Sequence, residues 1–275
     1  MSRFTLFIIV ILICIPTDRC SASKSTDHEI VRFELPDELH VDMVWIRPGI
    51  FDMGYVTTER YEDIDEHPTN EVTISSGFYI SAYEITQGQW FSVMGTQPWD
   101  ITKVSDGIGS NFPVANITWY ESQDFIERLN KHAGDNIYRL PTEAEWEYVA
   151  KAGTETVWSF GNEASIGARD RYTWWRGNTV KMGMNFAQAV GTSNPNQWGI
   201  YDMAGNVWEW CDDWYGIYPE GPQKDPVGAS RTVSKVIRGG SFANTCFCDL
   251  RPANRGRLMP AEKSPFVGFR IVRIK

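Results

Sequence analysis

Apolar and polar positions alternate early in the chain. Met43-Val44-Trp45-Ile46 leads to Arg47-Pro48-Gly49, which predicts a strand running into a turn, and Val72-Thr73-Ile74 and Phe78-Tyr79-Ile80 read as short strands around Ser75, Ser76 and Gly77. Three helices carry their own start signals. Thr86 has Gln89 three residues on, Thr118 has Glu121 and Thr142 has Glu145, so each pair can satisfy two orphan N–H groups as a capping box. In the second helix Ser122, Phe125, Ile126, Leu129 and Ala133 share one face and Gly134 supplies a stop, which predicts packing along a core. After Gly153 the pattern gives way to aromatic residues among Gly, Asn and Pro, with only brief strand-like runs such as Val236-Ile237 and Phe269-Arg270-Ile271-Val272. Regular structure should be sparse there, and loops of that length carry function or are pinned by ions and side chains.

The ends and the composition refine this picture. Residues 6–15 form an apolar run behind Arg3, with small residues at Ser21, Ala22 and Ser23, the pattern of an export signal cleaved near Ala22. The run is shorter than the roughly 20 residues a membrane span needs, so a secreted or periplasmic location without a membrane span is expected. Residues 23–38 then read as a lead segment and residues 39–275 as one domain, because no repeat or low-complexity tract interrupts them. Hydrophobic residues make up 42% and charged residues 22%, enough to build a sizeable core. The twelve Trp imply a core of aromatic slabs whose N–H groups need partners. The formal charge of −9 and the absence of a basic stripe speak against a nucleic-acid partner.

Several segments in order resemble the sulfatase-modifying-factor family, that of the formylglycine-generating enzyme. They are Met43-Val44-Trp45-Ile46-Arg47-Pro48-Gly49 through Met53-Gly54, Tyr83-Glu84-Ile85-Thr86, Pro113-Val114 with Ile117-Thr118-Trp119, and Tyr138-Arg139-Leu140-Pro141-Thr142-Glu143-Ala144-Glu145-Trp146-Glu147. Gly199-Ile200-Tyr201-Asp202-Met203-Ala204-Gly205-Asn206-Val207-Trp208-Glu209-Trp210, Arg238-Gly239-Gly240-Ser241-Phe242 and Gly268-Phe269-Arg270 complete the set. The resemblance implies an α+β fold, a C-type-lectin-like variant with little regular structure. Fold alone does not settle activity. Most of these residues have structural work available: Arg139 and Glu145 can pair, and Gly239 and Gly240 permit a backbone that other residues avoid.

Two chemistries follow from the motifs. Asp202 and Glu209 offer carboxylates seven residues apart around a glycine turn, a pattern suited to the oxygen-rich shell of Ca²⁺. The resemblance assigns ligands to the side chains of Asp202 and Glu209 and the carbonyls of Gly205 and Val207; a Glu set between Trp208 and Trp210 otherwise needs an Arg partner. The resemblance also implies two thiols that bind Cu⁺ after Arg-Gly-Gly-Ser, and soft sulfur ligands suit that ion. Cys246 and Cys248 follow Ser241 in the right loop, but as Cys-x-Cys rather than the family's Cys-x4-Cys. Counting forward from Ser241 puts the first thiol position at Asn244; counting back from Arg251 puts the second at Phe247. The competing expectation is a disulfide between Cys211 and one of the pair, with the other sulfur spare.

The resulting functional expectation is an exported oxidase of the formylglycine-generating type, acting on a cysteine-containing peptide or a small thiol or phenol, with Cys246, Cys248 and Ser241 as its site. Its rival is a non-catalytic, calcium-stabilised binding or scaffold module of the same fold.

Overall fold

The computed structural model describes residues 30–55, 63–99, 107–162 and 165–274. The expected export signal lies outside them. In chain order the elements are β1 (Ile30–Glu34), β2 (His40–Ile46), β3 (Gly49–Met53), β4 (Asn70–Ile74), β5 (Phe78–Ser81), α1 (Gln87–Met94), α2 (Trp119–Ala133) and β6 (Tyr138–Arg139). There follow α3 (Glu143–Lys151), α4 (Ile166–Tyr172), α5 (Arg176–Thr179), β7 (Trp208–Trp214), β8 (Gln223–Lys224), β9 (Lys235–Arg238), β10 (Arg255–Leu258), β11 (Val267–Gly268) and β12 (Val272–Arg273).

Three small sheets share one body. The first runs β1-β2-β5-β12-β6, the second β10-β9-β7-β11 and the third β3-β4-β8. The strands predicted on either side of Ser75, Ser76 and Gly77 both form, yet they part company: β4 pairs with β3 while β5 pairs with β2 and β12. Such corners let one chain feed two sheets and wrap a single core. β1 comes from the segment read as a lead and is the edge strand of the largest sheet, in register with β2 from Ile30 against Val44 to Glu34 against His40.

All three capping boxes form, with Thr86, Thr118 and Thr142 each accepting from the backbone three residues on and each receiving the reciprocal side chain. α2 buries Ser122, Phe125, Ile126 and Leu129 as expected, but Ala133 is exposed. The helix ends one residue later at Gly134 in the left-handed conformation, so its last turn has already left the core. Among the described residues beyond Gly153 there are two short α-helices, two single 3-10 turns (Val180–Met182 and Phe247–Leu250) and strands of seven residues or fewer, as the loss of periodicity predicted.

Aromatic slabs fill the interior: Trp90, Trp146 and Trp210 are fully buried, and Trp90 stacks on Phe125 at 5.7 Å with Phe269 edge-on. Their indole N–H groups are satisfied by Thr96, Glu209 and the Ile117 carbonyl respectively. α3 differs from an ordinary amphipathic helix, since all nine of its residues are buried, including Glu143, Glu145, Glu147 and Lys151. Buried charge at this density is sustainable only when paired and hydrogen-bonded. Arg255 grips Glu143 at 2.7 and 2.9 Å, Arg139 grips Glu145 at 2.6 Å through each nitrogen, and Glu147 takes Arg238 and Lys151.

Candidate functional site

β7 carries Glu209 into the interior, where Arg270 meets it twice, Nε to Oε2 at 2.6 Å and Nη2 to Oε1 at 2.7 Å. The indole N–H of Trp146 also donates to Oε2, and the remaining guanidinium donors reach the carbonyls of Ser81 and Tyr201. Of the two partners expected for a buried Glu209, the arginine is therefore in place. Asp202, expected as its fellow calcium ligand, lies in the loop before β7 and accepts from Gly191 N at 2.7 Å and Ser193 Oγ at 2.6 Å.

A third acid stands with them. Glu84, in a motif read as structural, is buried; its Oε1 accepts from Asn206 Nδ2 at 3.0 Å, while Oε2 has no hydrogen-bond partner. Burial first, then the charges of Asp202 and Glu209, hold its carboxyl well above the usual range. Burial likewise raises Asp202. Three buried acids thus lie in the field of one guanidinium that bonds only Glu209, and an orphaned acid oxygen remains on Glu84. Among the described residues these three acids do not bring ligand atoms within 4.8 Å of one another, as Cys246, Cys248 and Asp249 do, so a hard cation here is what the resemblance implies. Both oxygens of Glu209, and both of Asp202, already accept hydrogen bonds; the unengaged acid oxygen is Glu84 Oε2.

The acid loop is tied to the sulfur loop by the backbone. Gly205 N donates to Gly239 O and Phe242 N to Asn206 O, both at 2.8 Å. Gly239 and Gly240 have φ of 98° and 75°, a region in which L residues are strained, and this reversal throws the chain from β9 into Ser241. Ser241 is buried; its N–H and hydroxyl both donate to Asn244 Oδ1, at 2.9 and 2.8 Å. Asn244 Nδ2 passes the connection on to Asp249 Oδ2 at 2.7 Å, and Asp249 Oδ1 lies 3.3 Å from Cys248 Sγ.

The cysteines differ from the expected pairing. Cys246 and Cys248 form a disulfide with each other, and Cys211 is a free, buried thiol. The reason is positional: Cys211 sits mid-strand in β7, inside the core, whereas the other two flank Phe247 in a tight turn that places their Cα atoms 5.1 Å apart. Burial pushes the Cys211 thiol well up, keeping it protonated and inert. The two sulfurs and Asp249 offer ligand atoms that all lie within 4.8 Å of one another, and all three residues are partly exposed. Once the bridge is reduced, two thiolates with an adjacent carboxylate suit a soft ion. The sulfur turn is backed by an aromatic cluster in which Phe247 packs on Trp158 at 4.9 Å and Trp175 at 5.2 Å, with Arg169 over its ring at 4.4 Å.

Beside Ser241 opens a groove of about 360 Å³, walled by Trp208, Ile237, Leu258 and Phe266 and edged by Asn244 and Asp249. Such an apolar trough with a few convergent polar groups is the form that binding sites take. The role of Asp249 was not anticipated, although its place directly after Cys248 was visible. Glu84 was missed because nothing local marks an acid whose neighbours lie more than a hundred residues away.

The family model for the sulfatase-modifying factor enzyme 1-like domain matches residues 32–275. The formylglycine-generating enzyme of Streptomyces coelicolor is 36% identical over 260 residues, 85% of this chain and 80% of that protein. Among solved structures, PvdO from Pseudomonas aeruginosa superposes with a TM-score of 0.75 at 28% identity, over 89% of this chain and 98% of the other. Treponema denticola variable protein 1 gives 0.77 at 25% identity, over 88% and 98%.

The connectivity is open to direct measurement. Alkylation of the unreduced, denatured protein followed by peptide mapping should label Cys211 and leave Cys246 and Cys248 in one bridged peptide. A bridge from Cys211 to either partner would contradict the structure.

Proposed function

The chain belongs to the sulfatase-modifying factor enzyme 1-like family, and we propose that it is an oxygen-dependent oxidase of the formylglycine-generating type acting on a cysteine-containing peptide or a small thiol or phenol. The observation that carries this reading is the meeting of the Cys246 and Cys248 sulfurs with Asp249, a residue that itself lines the groove next to Ser241. In the reduced protein the two thiolates would hold Cu⁺, which supplies the means to activate dioxygen. Once the bridge is reduced, Asp249, whose Oδ1 lies 3.3 Å from the bridged Cys248 Sγ, would take the thiol proton as the ligand forms, and Asn244 ties that carboxylate to Ser241. The walls of Trp208, Ile237 and Phe266 would seat an apolar segment of substrate and exclude water.

A second reading, a binding module, is favoured by one observation. Asn244 fills the position where counting from Ser241 puts the family's first thiol, and hydrogen bonds to Ser241 and Asp249 lock it there. In both readings we assign Ca²⁺ to the buried acid cluster, held by Asp202 and Glu84 with the carbonyls of Gly205 and Val207, while Glu209 serves Arg270. Its chemistry there is charge neutralisation beneath the loop that leads to Ser241.

Titrating Cu⁺ into reduced wild type should show one tight site that is lost in Cys246→Ser and in Cys248→Ser, and oxygen uptake with a cysteine-containing peptide should follow the same pattern. As a proton acceptor worth about 10²-fold or more, Asp249 should slow turnover by that factor when changed to Asn. Wild type that neither binds Cu⁺ nor consumes oxygen would instead support the binding module.

For calcium, a hundredfold excess over Kd should stabilise the native state by about 2.7 kcal/mol, read as a rise in Tm. Glu84→Gln removes a charge without removing the Asn206 acceptor and should abolish most of that rise. A verified metal-loaded wild type whose Tm is unmoved by chelation would exclude the assignment.

A further inference from the structure

A cavity of about 440 Å³ lies between the third sheet and the loops that follow β7. It shares no lining residue with the groove beside Ser241. Its apolar wall comes from Met53 of β3, Val72 of β4, Ala144 of α3 and Pro219, and Ile217 and Val227 line it although they are 89% and 73% exposed. Apolar side chains left in water around a concavity of this size need a ligand or a role.

The polar lining is nearly all committed. Arg255 spends its donors on Glu143 and on the carbonyls of Asp65 and Gly216, Tyr218 donates to Glu143, Asn70 Nδ2 donates to the Pro68 carbonyl, and Asp225 at the rim is held by Ser75. The exceptions are Lys224, whose ammonium stands exposed at the rim, and Asp213 inside. Asp213 is only 3% exposed, its Oδ2 accepts from the first helical N–H of α3 at Glu143, and among the described residues its Oδ1 takes part in no hydrogen bond. Gly228 closes over it so tightly that a Cβ there would come within 2.7 Å of Oδ1.

The field at Asp213 has a sign. Burial and then the charges of Glu143, Asp212 and Glu145 hold its carboxyl well above the ordinary range. A neutral guest would leave that repulsion in place, and an anion would add to it. A cation would relieve it.

We propose that this cavity binds an ammonium group carried on a short alkyl stem, with Asp213 Oδ1 as the anchor and the Met53, Val72 and Val227 wall around the stem. A lysine side chain and a small primary amine present the same chemistry. The site is independent of the sulfur loop and of the oxidase reading.

Calorimetry with n-butylamine, Nα-acetyl-lysine amide, n-butanol and butanoate tests the proposal. Wild type should bind at least one amine saturably, and tighter than the alcohol or the carboxylate by at least about tenfold. Binding of both amines shows that the stem and ammonium suffice; binding of the lysine amide alone points to a peptide source. Asp213→Asn keeps an oxygen for Glu143 N–H but turns an NH₂ towards the guest, and should weaken amine binding by about tenfold or more. Val227→Trp lies at the exposed mouth, does not disturb the core, and should produce the same loss, so it decides the matter if Asp213→Asn fails to fold. Equal binding of alcohol and amine, amine binding unchanged in Val227→Trp, or no amine binding by wild type would overturn the proposal.

Discussion

One buried ion pair holds the two larger sheets in relation to each other. Arg270 lies in the extended stretch between β11 and β12, and it clamps Glu209 of β7 with two short bonds while also capping the carbonyls of Ser81 and Tyr201. Neither partner has appreciable contact with solvent. Desolvating two charges costs several kcal/mol per ion, and the cost is met here because the geometry is bidentate and Trp146 adds a third donor to Glu209. With those contacts fixed, α3, β5, β7 and the Tyr201 turn have little freedom to move independently.

The site inherits that rigidity. Glu209 pairs in register with Arg238 of β9, and β9 leads straight into Gly239, Gly240 and Ser241. Arg238 is itself buried against Glu147 of α3 and donates to the Ala253 and Asn254 carbonyls on the far side of the sulfur turn. The turn bearing Cys246 and Cys248 is thus suspended between two ends that the same arginine holds. A third clamp, Arg251 on Glu66 at 2.8 and 2.6 Å, fastens the end of that turn to a segment 185 residues away in sequence. Short regular elements suffice for such a molecule because charged side chains do the cross-linking that longer strands and helices do elsewhere.

This division explains what could be read from the sequence. The capping boxes at Thr86, Thr118 and Thr142 are local contacts over three residues, and each formed as predicted. The family, the fold class and the Arg139–Glu145 pair were likewise carried by contiguous motifs. What escaped depends on distant neighbours. Nothing near Glu143 or Glu147 announces Arg255 or Arg238, so a helix rich in Glu gave no sign that it would be wholly buried. The cysteine connectivity escaped for a related reason: counting sulfurs cannot tell that Cys211 faces the core of β7 while the other two share a turn. The acid loop was half legible, since Asp202 and Glu209 stood out by spacing but Glu84 required the fold to bring it to them.

The claim that Arg270 and Glu209 act as one unit is tested most directly by a double-mutant cycle in chemical denaturation. Arg270→Met and Glu209→Gln should each cost about 3–5 kcal/mol, because each strands a buried polar or charged partner. The double variant should lose clearly less than the sum, giving an interaction energy of about 0.5–3 kcal/mol. Additive losses would mean that the two residues stabilise the protein separately, and would contradict the cross-tie on which the arrangement of sheets and site loop is here held to depend.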